Sequence, residues 1–233
     1  MPVNVLLAAN DASRCGPLVK SMRKMGLTVR FAGTGAELLR LHEDVSPGLV
    51  VLATDLPDIH ALDVCRRVRR DSDVPLIMLG EGPGDLEVIL ALEVGADDFI
   101  AHDCANEEFE ERIRAALRRA ADLRVDSQPD QRLDFGEIVI DRQEHAMTVR
   151  DERQELTPTE MELIWTLAQR PREVITSADL LARVWSYPSG VRTRTLDVHV
   201  SRLRRKLGED GRDPRHIITV RGVGYRFDPP SPR

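Results

Sequence analysis

The chain has 233 residues, of which 42% are hydrophobic and 31% are charged, and its formal net charge is −6. This length is sufficient for two domains of ordinary size. No apolar run approaches the roughly 18–20 residues that a membrane span needs, and the first residues lack the features of a secretory signal, so we expect a cytoplasmic protein without membrane contact.

The cysteine content argues against disulfides and zinc. Cys15, Cys65 and Cys104 are odd in number, widely spaced and without a CxxC pair. This usage is typical of proteins in a reducing cytoplasm.

Charge is divided unevenly along the chain. Residues 1–122 carry 14 Lys and Arg against 21 Asp and Glu, which gives −7, whereas residues 156–227 carry 13 against 8, which gives +5. The asymmetry suggests that only the second half meets a polyanion, with chance surface composition as the alternative.

The first half alternates apolar strands with helices. Strands are predicted at 4–9, 28–33, 48–53, 74–80 and 97–102, and each is followed by a helix, at 13–25, 35–43, 61–70, 84–94 and 106–121. Five such units predict an α/β domain with a doubly wound five-stranded parallel sheet, over residues 1–121.

The second half has a different pattern. Residues 122–132 are polar, contain a proline and have no periodicity, which predicts a linker. A small antiparallel sheet over 133–156 is predicted from alternation at period two. Thr157, Pro158 and Glu160 then form the capping box of a helix.

The remaining elements predict a helix-turn-helix with a wing. Helices are expected at 176–185 and 193–207, and a hairpin with glycines at its tip at 217–227. Together with the sheet they predict an α+β domain over residues 133–229.

The 193–207 helix is amphipathic at 100° per residue. One face is apolar and is formed by Leu196, Val200, Leu203 and Leu207. The opposite face gathers Arg194, Val198, Ser201, Arg202 and Arg205. Arginine suits the edge of a guanine in the major groove, and a valine suits the methyl group of thymine. A solvated basic face is the alternative.

Residues 133–227 resemble the winged-helix DNA-binding domain of OmpR/PhoB-type response regulators. The match lies in "LTPTEMELIWTLAQRP", "LLARVW", "RTLDVHVSRLRRKLGED" and "TVRGVGYRF". The resemblance implies that 193–207 is the recognition helix, with Val198 and Arg202 at base-reading positions. The DNA-binding set is completed by Arg192, Arg194, Thr195, His199, Ser201, Arg204, Arg205, Arg221 and Tyr225. A partly packed role for His199 stays open.

Residues 1–121 are similar to the receiver domain of the same family. The match lies in "LPDIHALDVCRRVR", "VPLIML" and "GADDFI". A receiver holds Mg²⁺ with two carboxylates and takes phosphate on an aspartate, assisted by a Ser or Thr and a Lys. Here the equivalent positions are occupied by Ala9, Asn10, Ala53, Gly80 and His102. The resemblance therefore implies no phosphoacceptor, no metal, no cofactor and no catalytic residue, and we expect no enzymatic activity.

Two alternatives remain for this pocket. Asp55, close to Asp11 and Asp58 in the same region, could accept phosphate in place of Ala53. The emptied pocket could instead take a small-molecule ligand, with His102 as a polar contact.

Family receivers dimerise through charged pairs on their fourth helix, fifth strand and fifth helix. The matching residues are Asp97, Asp98, Glu108, Arg112 and Arg119. Val88 stands where the family has a basic residue in the fourth helix. Phe99 stands at the family's aromatic switch position and lacks a hydroxyl. We expect a homodimer, with ordinary surface salt bridges as the alternative.

These observations predict a bacterial regulator that binds double-stranded promoter DNA sequence-specifically, as a receiver-mediated dimer and independently of aspartyl phosphorylation. RNA polymerase is a further expected partner. We expect the protein in the cytoplasm, and in the nucleoid when it is bound to DNA.

Overall fold

The computed structural model describes residues 3–81, 85–122, 131–191, 193–209 and 211–230. The chain divides into two compact units, Met1–Leu117 and Arg118–Arg233. Most of the predicted linker at 122–132 lies outside the described residues. Among those residues, no helix is long and apolar enough to cross a membrane.

The first unit alternates strands and helices. Its strands are β1 (Asn4–Ala8), β2 (Thr28–Ala32), β3 (Leu49–Ala53), β4 (Leu76–Gly80) and β5 (Asp98–Ala101). Its helices are α1 (Gly16–Lys24), α2 (Gly35–Val45), α3 (Ala61–Asp71), α4 (Asp85–Val94) and α5 (Asn106–Asp122), the last of which continues into the second unit.

These strands form one parallel sheet in the order β2-β1-β3-β4-β5. The central strands are apolar along their whole length, because helices cover both faces of a parallel sheet. All five residues of β3 and of β4 are buried. The prediction of a doubly wound five-stranded sheet is confirmed, with the ends of the elements shifted by up to three residues.

The second unit begins with a four-stranded antiparallel sheet. Its strands are β6 (Arg132–Asp134), β7 (Ile138–Asp141), β8 (Ala146–Val149) and β9 (Glu152–Glu155). Three helices follow, α6 (Pro158–Ala168), α7 (Ser177–Trp185) and α8 (Thr195–Lys206). A three-stranded sheet combines β10 (Val174–Thr176), β11 (Ile217–Val220) and β12 (Gly224–Phe227), in the order β10-β12-β11.

The winged-helix architecture predicted for the second half is confirmed. Its core packs the apolar sides of the three helices against both sheets, with Trp185 and Phe227 among the largest buried side chains. The capping box also forms as predicted: the Thr157 hydroxyl accepts from the Glu160 amide, and Glu160 accepts from the Thr157 amide. Strands β11 and β12 join in a tight turn at Gly222, where φ is +74°, a conformation suited to glycine.

Candidate nucleic-acid interface and the pocket at the sheet edge

Two alanines occupy the carboxyl edge of the parallel sheet. Ala9 follows β1 and Ala53 ends β3, and both are buried. Asn10, next along the chain, is exposed. Ligands of open α/β sheets bind beyond this edge. Methyl groups there provide no nucleophile and no negative charge.

Gly80 ends β4, and the ring of Phe99 fills the space beside it. A Cβ atom on Gly80 would lie 3.1 Å from both Cε1 and Cε2 of Phe99, and closer still to Cζ. Real Cβ atoms do not sit in such a position without displacement of the neighbour. Phe99 is 6% exposed, so its ring is part of the interior of this unit. No serine or threonine hydroxyl fits at residue 80 while the ring stays there.

The acidic group nearest to Ala53 in sequence is paired with a cation. The Asp55 carboxylate lies 3.7 Å from the guanidinium of Arg14, which also binds Glu81. Arg14 therefore links the loops after β1, β3 and β4. Its pKa is raised, chiefly by the hydrogen bond to Glu81 and by the charge of that carboxylate.

The other nearby acids stabilise local backbone. Asp58 accepts from the amides of Gly35 and Ala36, at 2.8 and 3.0 Å, and so caps α2 from the loop after β3. These bonds lower the pKa of Asp58, the one from Ala36 most strongly. Asp11 accepts from the amide of Ser13 at 2.8 Å.

The pocket residues do not fit the Mg²⁺ ion that a receiver holds. Ala9 and Ala53 offer no oxygen ligand from their side chains, and Asp55 already faces the guanidinium of Arg14. Hard cations need several oxygen ligands, usually carboxylates. Within the described ranges, no group of three His, Cys, Asp or Glu side chains is arranged to hold a metal.

His102 closes the same edge beyond β5. It is partly buried, and its backbone amide donates to the carbonyl of Gly80 at 2.8 Å. The hydrogen bond and charge of Arg14 lower the pKa of Glu81, and His102 makes a smaller contribution in the same direction.

Three of the five residues predicted at a dimer interface lie together. Arg112 donates to the Phe99 carbonyl at 3.1 Å and lies 3.6 Å from the carboxylate of Asp98. It also binds Glu108 one turn earlier on α5. The cluster thus joins β5 to α5 within one chain and is attached to the backbone of Phe99.

The other two predicted interface residues are buried, as Asp98 and Arg112 also are. Asp97 is 0% exposed, pairs with Arg69 and accepts from the amide of Leu76 at 2.9 Å. Arg119 belongs to the second unit, where it is buried and donates to the carbonyl of Val184. Asp97 and Arg119 therefore bind atoms of their own chain, and their role at a dimer interface stays a prediction.

Helix α4 instead exposes two leucines. Leu86 is 69% exposed and Leu90, one turn later, is 42% exposed. The helix sequence from 86 to 94 is apolar on all sides apart from two glutamates. Exposed apolar side chains at i and i+4 form a stripe that a partner surface can cover.

The buried stripe predicted for α8 is confirmed. Leu196, Val200, Leu203 and Leu207 are each at most 2% exposed. A buried carboxylate on α6, which helical periodicity does not identify, forms ion pairs with two basic residues of α8. Glu160, fully buried, lies 2.9 Å from Arg202 and 2.6 Å from Lys206.

Burial acts to raise the pKa of Glu160, but the charges of Arg202 and Lys206 outweigh it and the pKa is lowered. Arg202, with only 11% of its side chain exposed, is therefore oriented by an ion pair within its own unit.

Four of the predicted DNA-binding residues are exposed. Ser201 and Arg205 lie on one face of α8, Arg194 is the N-cap of that helix at the same face, and Arg221 lies in the turn of the hairpin. Arg194 also pairs with Asp197 at 3.3 Å. Arg192 lies outside the described residues.

Other predicted DNA-binding residues are buried. Val198 is 6% exposed and Thr195 is 0% exposed, so the expectation of an exposed Val198 is wrong. His199 is fully buried, and the centroid of its ring lies 5.1 Å from that of Trp185. This environment matches the packed role that was left open for His199. Arg204 is buried and donates to the Ile217 carbonyl at 2.9 Å.

Tyr225 is also buried, and its hydroxyl donates to Asp197 at 2.8 Å. Burial first, and then this bond and the Asp197 charge, raise the pKa of the phenol. Together the Arg204 and Tyr225 contacts attach the hairpin to α8 and fix the exposed face of the helix relative to the wing. No local sequence pattern identifies these partners, because they are 13 and 28 residues apart along the chain.

Comparison with known proteins identifies both units. Residues 5–114 match the response regulator receiver domain, and residues 151–227 match the C-terminal domain of transcriptional regulatory proteins. The DNA-binding response regulator MtrA of Mycolicibacterium smegmatis is 38% identical over 230 residues, covering 99% of each chain. The transcriptional regulatory protein AfsQ1 of Streptomyces coelicolor is 38% identical over 231 residues, covering 99% of this chain and 100% of its own.

A solved structure has the same arrangement of domains along the chain. The response regulator DrrB of Thermotoga maritima, an OmpR/PhoB homologue, is 26% identical with a TM-score of 0.52, covering 98% of this chain and 100% of its own. The chain therefore belongs to the OmpR/PhoB-type response regulators, transcription factors that join a receiver domain to a winged-helix DNA-binding domain.

Proposed function

We propose that this response regulator binds double-stranded promoter DNA without phosphorylation of its receiver. The observation that carries the proposal is the pocket at the sheet edge, where Ala53 stands at the acceptor position and Phe99 fills the space beside Gly80. The names of its relatives support DNA binding and transcriptional regulation as the output.

The argument for phosphorylation independence is electrostatic. Phosphoryl transfer depends on positioning and on charges that stabilise the transferred group. Ala9 and Ala53 supply neither a nucleophile nor a metal ligand, and residue 80 supplies no hydroxyl. The lysine that would neutralise the phosphoryl oxygens is replaced by His102, and the guanidinium of Arg14 at these loops is already paired with Asp55 and Glu81.

Asp55 is a poor substitute for the missing acceptor. Its carboxylate faces Arg14 at 3.7 Å, which reduces its nucleophilicity, and it lies in the loop beyond β3. The ligand-gated alternative is also weakened at this pocket, because the ring of Phe99 takes the room that Gly80 leaves.

We propose that the DNA-binding face comprises Arg194, Ser201 and Arg205 on α8 with Arg221 in the wing. These residues are exposed in the free protein, and their side chains bear groups that bind base edges and phosphates. Arg202, Arg204 and Tyr225 are positioning residues in this proposal, since each is held by a contact within the winged-helix unit.

We further propose that the receiver dimerises through the face of α4, β5 and α5. The exposed Leu86 and Leu90 give this face an apolar stripe. Val88, between them in the sequence of α4, replaces the basic residue that the family has at this position. The Asp98–Arg112–Glu108 cluster holds β5 and α5 together at the same face. Two receivers joined in this way bring two winged helices to adjacent half-sites. RNA polymerase is the expected further partner at a promoter.

The test is a selected-oligonucleotide binding assay on untreated full-length protein, followed by affinity measurements on the selected site. We expect a defined sequence motif with two half-sites. Arg205→Ala and Arg221→Ala should each weaken binding and reduce the slope of log K against log salt by about 0.9 for each phosphate that the variant no longer neutralises. The matched control is Arg172→Ala, an exposed arginine of the same unit away from α8 and the hairpin turn, and should bind as the wild type does. Absence of sequence preference without a phosphodonor would contradict the proposal.

A further inference from the structure

A groove of about 630 Å³ lies on the first unit, between α1 and β2. Its volume falls in the range of about 300–1,000 Å³ that small-molecule sites occupy. The lining residues are Ala12, Gly16, Val19, Lys20, Arg23, Lys24 and Phe31. Ala9, Ala53 and Gly80 are not among the residues that line this groove.

One wall of the groove is cationic. Lys20, Arg23 and Lys24 are spaced i, i+3 and i+4 on α1, so their side chains share a face of the helix. All three are exposed, and no carboxylate is among the lining residues. Among residues 3–81 and 85–122, no acidic side chain forms an ion pair with Lys20, Arg23 or Lys24.

The concentration of positive charge is unusual for this unit. Residues 1–122 have a net charge of −7, and several other arginines there are paired, including Arg14, Arg66 and Arg112. Cations near the C-terminus of α1 offset the helix dipole, which accounts for Arg23 and Lys24. The dipole does not account for Lys20 or for the aromatic ring beside the three cations.

The opposite wall presents that ring. Phe31 lies on β2, the edge strand of the sheet, and is 36% exposed. Val19, half-buried, adds apolar surface to the lining. An exposed aromatic side chain provides a face on which a planar base can stack.

We propose that this groove binds a small molecule that combines a planar aromatic base with two or three phosphate groups, the chemistry of a nucleoside di- or triphosphate. Phe31 stacks on the base, and Lys20, Arg23 and Lys24 bind the phosphates. The three cations lie within five residues of helix, and the four steps from Lys20 to Lys24 rise about 6 Å at 1.5 Å per residue. This span matches the polyphosphate of one ligand better than the longer charge track of a nucleic-acid strand.

The proposal is independent of phosphorylation and of dimerisation. Binding at the α1–β2 groove requires no group in the pocket formed by Ala53 and Gly80. Failure of either proposal therefore leaves the other intact.

The test is isothermal titration of the full chain with three probes: ATP, inorganic tripolyphosphate and adenosine. We expect ATP to bind with one site per chain and at least tenfold more tightly than either of the other two. Equal binding of ATP and tripolyphosphate would overturn the role of the ring. A parallel titration with a single-stranded oligonucleotide tests the longer ligand: binding of the oligonucleotide without binding of ATP would overturn the assignment to a small molecule.

Variants locate the site. Lys20→Gln combined with Lys24→Gln should weaken ATP binding about tenfold or more, and Phe31→Ser about tenfold without changing the affinity for tripolyphosphate. The matched control is Arg67→Gln, which removes an exposed cation from α3 of the same unit and should leave ATP binding unchanged. ATP binding that is insensitive to the groove variants, or equally sensitive to Arg67→Gln, would contradict the proposal.

Discussion

The ring of Phe99 lies against the backbone of Gly80, in the space that any larger side chain at residue 80 would need. The same phenylalanine offers its carbonyl to Arg112, which binds Glu108 and lies 3.6 Å from Asp98. A substitution at the sheet edge is thereby linked, through one residue of β5, to the face that we propose as the dimer interface.

Gly80→Ala should destabilise the first unit by about 1–3 kcal/mol, because the new methyl group overlaps the Phe99 ring. The free energy of unfolding from urea titration measures this change. Gly33→Ala is the matched control, since a Cβ atom there meets its nearest neighbour at an ordinary 3.9 Å.

The same cost should shrink when Gly80→Ala is made together with Phe99→Leu, which removes the tip of the ring. A double-mutant cycle separates this coupling from the cost of Phe99→Leu alone. An equal cost of Gly80→Ala in both backgrounds would show that the ring does not limit residue 80.

Leu86→Glu combined with Leu90→Glu should convert a receiver-mediated dimer to a monomer, because two charges would have to be buried in an apolar contact. Sedimentation equilibrium of the full chain, without a phosphodonor, measures the change. Val223→Glu, at a similarly exposed residue of the hairpin turn, should leave the association constant unchanged. A wild-type chain that stays monomeric at high concentration would contradict the dimer.

Glu160→Gln should lower the stability of the second unit at pH 7 by about 3 kcal/mol, because Arg202 and Lys206 lose their common buried carboxylate. The folded-state pKa of Glu160 lies below its ordinary value of 4.5. The carboxylate therefore contributes its full stability above about pH 4.5 and loses it as the pH falls through the lower, folded-state pKa.

Urea titrations between pH 7 and pH 3 test this dependence. The stability difference between wild type and Glu160→Gln should narrow below about pH 4.5. Glu173→Gln, at an exposed carboxylate of the same unit, should have little effect at any pH. A difference that stays constant down to pH 3 would contradict the role of the ionised carboxylate.

The cysteines should react slowly with thiol reagents. Cys15 and Cys65 are buried, and burial, followed by the charge of Glu108, raises the pKa of Cys104 to about 11. At pH 8 a thiol with that pKa is about one part in a thousand thiolate, the reactive form. Ellman's reagent should titrate all three thiols rapidly only after denaturation. In the native chain the reaction should be slow, and Cys104→Ser should remove its fastest phase. Rapid stoichiometric reaction of the native chain would contradict this prediction.

Local patterns were sufficient to predict the fold. The apolar run of β3, the capping box at Thr157 and the glycine-tipped hairpin each depend on residues close in sequence. The apolar stripe of α8 was predicted equally well, since a helix repeats its faces every 3.6 residues.

The electrostatics of the sites could not be predicted in the same way. Glu160 meets Lys206 across 46 residues, and Tyr225 meets Asp197 across 28, so only the tertiary fold brings them together. Val198 lies near the exposed face by helical angle but is 6% exposed in the folded chain. A helical wheel describes one helix, whereas burial depends on everything packed around it.

The most direct measurement of phosphorylation independence is DNA affinity with and without acetyl phosphate and Mg²⁺, run beside ³²P incorporation on the same full-length protein. We predict an unchanged Kd, within about twofold, and no incorporation above the level of Asp55→Ala. Stoichiometric incorporation that Asp55→Ala abolishes, accompanied by tighter DNA binding, would contradict the account.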